Sequence, residues 1–126
     1  MRSVLRLLLA VILLLPAGCS GLSSSRSETD RQKALSRRFG QAWDLIHQGK
    51  PDVAIEMLGS LYDRMQKGDP AADDIVFWMG HCYQELEQPE LAIQKYREVI
   101  SAYPESVYAA EARKRLPALL RQRRDQ

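Results

Sequence analysis

Residues 73–106 read DDIVFWMGHCYQELEQPELAIQKYREVISAYPES, and this stretch decides the fold. Two apolar stripes run through it. Ile75, Val76, Met79, Cys82, Tyr83 and Leu86 form the first, and Leu91, Ala92, Tyr96, Val99, Ile100 and Tyr103 the second. Both recur at the three- and four-residue spacing of one helix face. Pro89 separates them, because its fixed φ and missing donor suit the first turn of a helix. Pro104 stops the second helix for the same reason. The stretch therefore predicts two antiparallel helices. Gly80 and Ala92 are small where two helices would touch, and Tyr83 and Tyr96 are large enough to fill the space beside them.

Working outward, Pro51-Asp52-Val53-Ala54-Ile55-Glu56 matches Pro89-Glu90-Leu91-Ala92-Ile93-Gln94 at an offset of 38 residues. A period of this size signals stacked supersecondary units. Upstream, Leu35, Phe39, Ala42, Trp43, Leu45 and Ile46 recur on helical spacing, and Gly49 and Pro51 close that helix and open the next. Val53, Ala54, Met57, Leu58, Leu61, Tyr62 and Met65 then form another stripe. Gly68-Asp69-Pro70 is a break in which Asp69 is expected to cap the following helix and Pro70 to take its first position. A fifth helix carries Ala109, Ala112, Leu116 and Leu120. Pro117 inside it predicts a kink, or a stop at Leu116. No strand pattern competes anywhere.

The 73–106 frame resembles the tetratricopeptide repeat, whose pattern W-x2-L-G-x2-Y, A-x3-F, P is met here by Val76, Met79-Gly80, Tyr83, Ala92, Tyr96 and Pro104. Ala42, Leu45, Ala54 and Leu58 fit an earlier, looser unit, whose connection through Gln66–Asp73 is four residues longer. The resemblance implies an all-α fold: two tetratricopeptide-like helical hairpins plus a C-terminal capping helix, an α-solenoid fragment. It implies no catalysis and no cofactor. It also implies a concave wall that holds a segment of another protein. Carried onto this chain, that wall takes Ser36, Phe39, Trp43, Ile46 and His47 from the first unit. The second unit supplies Asp74, Phe77, His81, Gln84 and Glu85, and Tyr108 extends the wall. For Phe39 and Trp43 a place in the groove and a place in the core stand open side by side. The run Y-P-x-S-x-Y-A-x-x-A at residues 103–112 is similar to repeats of outer-membrane assembly lipoproteins of the BamD type and of the coordinator protein of the Tol–Pal system.

The other end of the chain is different in kind. Arg2 and Arg6 precede an uninterrupted apolar run from Leu7 to Leu15, followed by Pro16, Ala17 and Gly18. This reads as an export signal over residues 1–18. The run is shorter than the roughly 20 apolar residues that span a bilayer; a retained signal anchor is the alternative. Leu15-Pro16-Ala17-Gly18-Cys19 resembles the lipobox of bacterial lipoproteins, which implies diacylglyceryl transfer to the Cys19 thiol, cleavage before it and acylation of the new amino end. Ser20 at the next position implies the periplasmic face of the outer membrane, or the cell membrane in a host without one. Residues 19–28 read as the lipidated cysteine with a flexible Ser-rich tether. Residues 29–122 read as the repeat domain, and residues 123–126 as a basic tail.

Charge and chemistry narrow the function. Residues 39–111 hold five basic and thirteen acidic side chains, whereas residues 112–126 hold six basic and one acidic. An acidic centre argues against a nucleic-acid groove. His81 and Cys82 are neighbours on a helix and point about 100° apart, so they do not form a metal site together. With Cys19 lipidated, Cys82 has no intrachain partner and reads as a buried thiol. Asp69, Asp73 and Asp74 read as helix-start carboxylates. No phosphate loop or acid–base constellation is present. The expected function is a membrane-anchored scaffold or adaptor of the bacterial envelope, its partners being envelope proteins. A pilotin or secretin-assembly lipoprotein, a non-catalytic accessory subunit of a peptidoglycan-modifying enzyme, and homo-oligomerisation through the repeat surfaces are the alternatives.

Overall fold

The computed structural model describes residues 22–66, 69 and 71–126, with side chains from Arg26 onward. The export segment 1–18, Cys19 and Pro70 lie outside the described residues. Five helices are present among the described residues: α1 (Leu22–His47), α2 (Pro51–Tyr62), α3 (Ala72–Glu85), α4 (Pro89–Ala102) and α5 (Val107–Arg124). Residues 33–126 form one compact unit. Residues 22–32 belong to a separate one, of which the described part is the beginning of α1, with Arg31 paired to Glu28 one turn earlier at 3.2 Å. Helix thus replaces the expected tether over residues 22–28. Once Glu28–Leu35 is helical, each further residue adds a hydrogen bond without a new nucleation cost, and Ser does not stop that extension.

Two turns show the repeat in backbone geometry. After α1, Gly49 takes φ 70, its N–H donating to the Ile46 carbonyl and that of Lys50 to Leu45, both at 3.0 Å. After α3, Glu87 takes φ 57, its N–H donating to Gln84 at 3.1 Å and that of Gln88 to Tyr83 at 2.9 Å. Both are Schellman closures with a left-handed residue, and both lead directly into a helix with Pro in its first turn. Glycine bears the left-handed conformation without strain and Glu87 does not.

The hairpins stack through α3. One of its faces, Ile75, Met79 and Cys82, joins Ala42, Ala54, Leu58 and Leu61 in a first apolar cluster. Val76 and Phe77 join Ala92, Ile93, Tyr96, Val99, Ala112 and Leu119 in a second. The expected small-residue contact is present: Ala92 and Tyr96 are fully buried, and a Cβ on Gly80 would stand 2.8 Å from the Tyr96 ring. Tyr83 packs half-buried beside them.

Three local expectations are corrected. Asp69 does not cap α3; its Oδ2 accepts from the Gln66 N–H at 2.6 Å and closes its own loop, while α3 starts after Ala71 without a side-chain cap. The longer connection leaves room for that loop, and Asp73 and Asp74 supply the negative charge in the first turn that the helix dipole favours. The helix does not stop at Leu116 but continues through Pro117 to Arg124, into the stretch read as a tail. Leu116, Leu119 and Leu120 all pack against the second cluster, and that burial offsets the hydrogen bond Pro117 removes.

Candidate functional site

The first helix of each hairpin and the final helix, α1, α3 and α5, bring the polar and aromatic residues together. On α3, Asp74, Trp78, His81 and Glu85 are spaced four, three and four residues apart, so they form one stripe. Trp78 packs edge-on to Trp43 of α1, ring centroids 4.4 Å apart. Trp43 in turn lies 4.3 Å from the His47 ring, and Trp78 lies 5.1 Å from His81. Edge-to-face pairs of this kind contribute about 0.5–1.5 kcal/mol beyond their burial. The four rings make a continuous ladder across α1 and α3. Trp43 remains 38% exposed although its indole is apolar.

Of the residues expected on the wall, Trp43, His47 and His81 are in this ladder. His47 is exposed, its Nδ1 donating to the Trp43 carbonyl at 2.9 Å. Phe77 is not on the wall. It is 2% exposed, lies 5.5 Å from the Tyr96 ring and 5.2 Å from the Tyr108 ring, and carries the Arg115 guanidinium 5.1 Å above it. One residue step on a helix is about 100°, and it turns Phe77 into the α3–α4–α5 core and leaves Trp78 half-buried, packed against both clusters beside Trp43. Ile46 and Phe39 are half-buried against the first cluster, which gives both a core role. Gln84 is also committed, since its Oε1 accepts from the Tyr96 hydroxyl at 3.0 Å. Tyr108 is half-buried between Phe77 and Asp74, and burial followed by its hydrogen bond to Asp74 pushes its hydroxyl up to about 12.

A polar network not foreseen in the sequence joins α3 to α5. The Arg115 Nη1 lies 3.1 Å from His81 Nδ1, and its Nε donates to Glu111 at 3.1 Å. A guanidinium only donates, so His81 Nδ1 accepts and the ring proton sits on Nε2. Burial, reinforced by the Arg115 charge, holds the His81 pKa below its ordinary value of 6.5. The Arg115 side chain also reaches the Tyr96 hydroxyl at 3.5 Å. At the other end of the stripe, Ser106 accepts the Tyr108 N–H as the cap of α5 and donates its hydroxyl to Asp73. This bond ties the two ends of the 73–106 frame together. The signal for Glu111 and Arg115 was present in the sequence: starting a further 34-residue frame at Val107 places Tyr108, Glu111 and Arg115 opposite Asp74, Phe77 and His81.

Asp74 is satisfied only in part, through the polar hydrogens of Tyr108 and Trp78. Its Oδ1 is buried and has no hydrogen-bond partner among the described residues. Burial pushes its pKa above the ordinary 3.8, while the polar hydrogens of Tyr108 and Trp78 work in the other direction. Cys82, by contrast, is chemically quiet: fully buried, with its thiol pushed up to about 12 by that burial. Among the described residues no group of three His, Cys, Asp or Glu side chains stands close enough to hold a metal ion, and no helix is long and apolar enough to cross a membrane.

No curated protein and no solved structure gives a match to the chain. A family model for the tetratricopeptide repeat matches residues 74–106, from the first turn of α3 to the cap of α5, so this hairpin is similar to that family's helical repeat unit.

Proposed function

We propose that this chain is a protein-docking module, a scaffold or adaptor of the bacterial envelope held at the periplasmic face of the outer membrane by lipid on Cys19. The observation that carries the docking reading is the Trp43–Trp78 ladder, where large rings stay part-exposed on a face built from the first helix of each hairpin. Trp and Tyr are frequent anchors of protein interfaces, and a row of them held rigidly by its own ring contacts needs little ordering on binding. Its mechanism is recognition of a partner segment laid across α1 and α3, with the anchor fixing where the encounter takes place. The run Leu15–Cys19 supports the anchoring, and two or more acyl chains hold a protein stably at a bilayer.

Affinity capture from detergent-solubilised envelopes tests the docking, comparing the full chain with Trp43→Ala. Capture of a discrete partner by the full chain, lost in the variant while circular dichroism and melting stay near wild type, supports the reading. Undiminished capture by the variant refutes it. Radioactive fatty-acid labelling of Cys19→Ala tests the anchor separately, and labelling unchanged by that substitution contradicts it.

A further inference from the structure

We infer that the Arg115–His81 hydrogen bond is a proton-operated clasp between α5 and α3, closed while His81 is neutral and released when a proton occupies its Nδ1. The clasp is a property of the helices themselves and needs no docked partner. From α5, Arg115 reaches both other helices of its cluster. Its Nη1 lies 3.1 Å from His81 Nδ1 on α3 and 3.5 Å from the Tyr96 hydroxyl on α4, and its guanidinium stands over the Phe77 ring. A guanidinium has donors only, so the contact with His81 is a bond only while Nδ1 keeps its lone pair. A proton there turns the acceptor into a second donor and sets two positive charges at the 3.1 Å of the former bond. Arg115 is the group that yields, because it is part-exposed and Glu111, one turn back on α5, still holds its Nε at 3.1 Å. The other groups facing His81 are few. Burial and the Arg115 charge, with His47 of α1, disfavour the charged ring, and Glu85 on α3 favours it. Release is local: Ser106 still donates to Asp73, and Ala112, Leu116 and Leu119 keep α5 in the second cluster. What changes is the patch beside Trp78, whose ring stands edge-on to His81 at 5.1 Å. That patch gains one positive charge and loses the side chain that closed it against α5.

Nuclear magnetic resonance of the full chain in neutral detergent micelles tests this, with His47→Gln used to assign the His81 signals. At neutral pH, correlation of ring nitrogens with ring protons should find the His81 proton on Nε2, and the Arg115 guanidinium should rotate slowly. As pH falls, protonation of His81 and the onset of free rotation at Arg115 should follow one curve, while far-ultraviolet circular dichroism stays unchanged. Arg115→Gln should move the His81 midpoint to higher pH, because a like charge has been removed. The clasp is overturned by a proton on Nδ1 at neutral pH, by Arg115 rotation indifferent to the His81 titration, or by loss of helix in the same step. A midpoint in Arg115→Gln at or below that of the wild type overturns it as well.

Discussion

Gly80→Ala isolates the contact on which the hairpin depends. The added Cβ would stand 2.8 and 2.9 Å from two carbons of the Tyr96 ring and 3.3 Å from Lys95 Cβ, whereas carbon atoms rest about 3.5–4.0 Å apart. The ring has no easy way out. Tyr96 is fully buried, its hydroxyl is bound to Gln84, and the Arg115 guanidinium lies beside it. Relief requires α3 and α4 to separate by several tenths of an ångström. Overpacking of this kind costs about 1–3 kcal/mol, and the short distances place it near the upper end. Alanine returns about 1 kcal/mol through helix propensity, so a net loss of about 2 kcal/mol is expected. For a domain of this size that corresponds to a fall in Tm of roughly 8–16 °C. Gly59→Ala is the control, since nothing lies within 4 Å of a Cβ built there; it should gain up to about 1 kcal/mol from propensity alone. Urea titrations of both variants decide the matter. A Gly80→Ala protein as stable as Gly59→Ala would show that α3 and α4 do not approach as described.

Phe77→Ala should cost about 3–5 kcal/mol in a urea titration, the loss typical of a buried ring, whereas the part-exposed Trp43 should cost clearly less. Glu87→Gly should stabilise by about 0.5–1 kcal/mol, because the left-handed penalty exceeds the added freedom of the unfolded chain; a loss in thermal melting would contradict the Schellman geometry. His81 has a folded pKa below its unfolded one, so the unfolded state takes up its proton first as pH falls. Stability attributable to His81 is therefore flat above about pH 6.5 and is lost as pH drops through the folded pKa, and the difference between wild type and His81→Gln, measured from neutral pH downward, should narrow over that range.

The hairpin was legible because its signals are local. Pro89, Gly80, Ala92 and Tyr96 report turn geometry and helix contact over a few residues, and the structure holds them in those roles. The wall was only partly legible. Phe77 and Trp78 are adjacent, equally apolar and on a helix with apolar clusters on two sides, so hydrophobic periodicity cannot say which one faces out; only the packing of α4 and α5 decides. The Arg115–His81 bond shows the same limit, since it crosses from α5 to α3, whereas the Glu111 pair lies one turn away on α5 itself. Asp69 carried a true capping signal, but the longer connection let its side chain satisfy a nearer N–H. Pro117 carried a true stop signal that three leucines outweighed.

Photo-crosslinking in intact envelopes tests the docking wall most directly. A benzophenone amino acid is placed at Trp43, and in a second protein at Gln94, which is exposed on α4 away from the ladder. The wall described above predicts a discrete protein adduct from position 43 and none from position 94. Adducts from position 94 alone would place the docking surface elsewhere on the molecule and contradict the account.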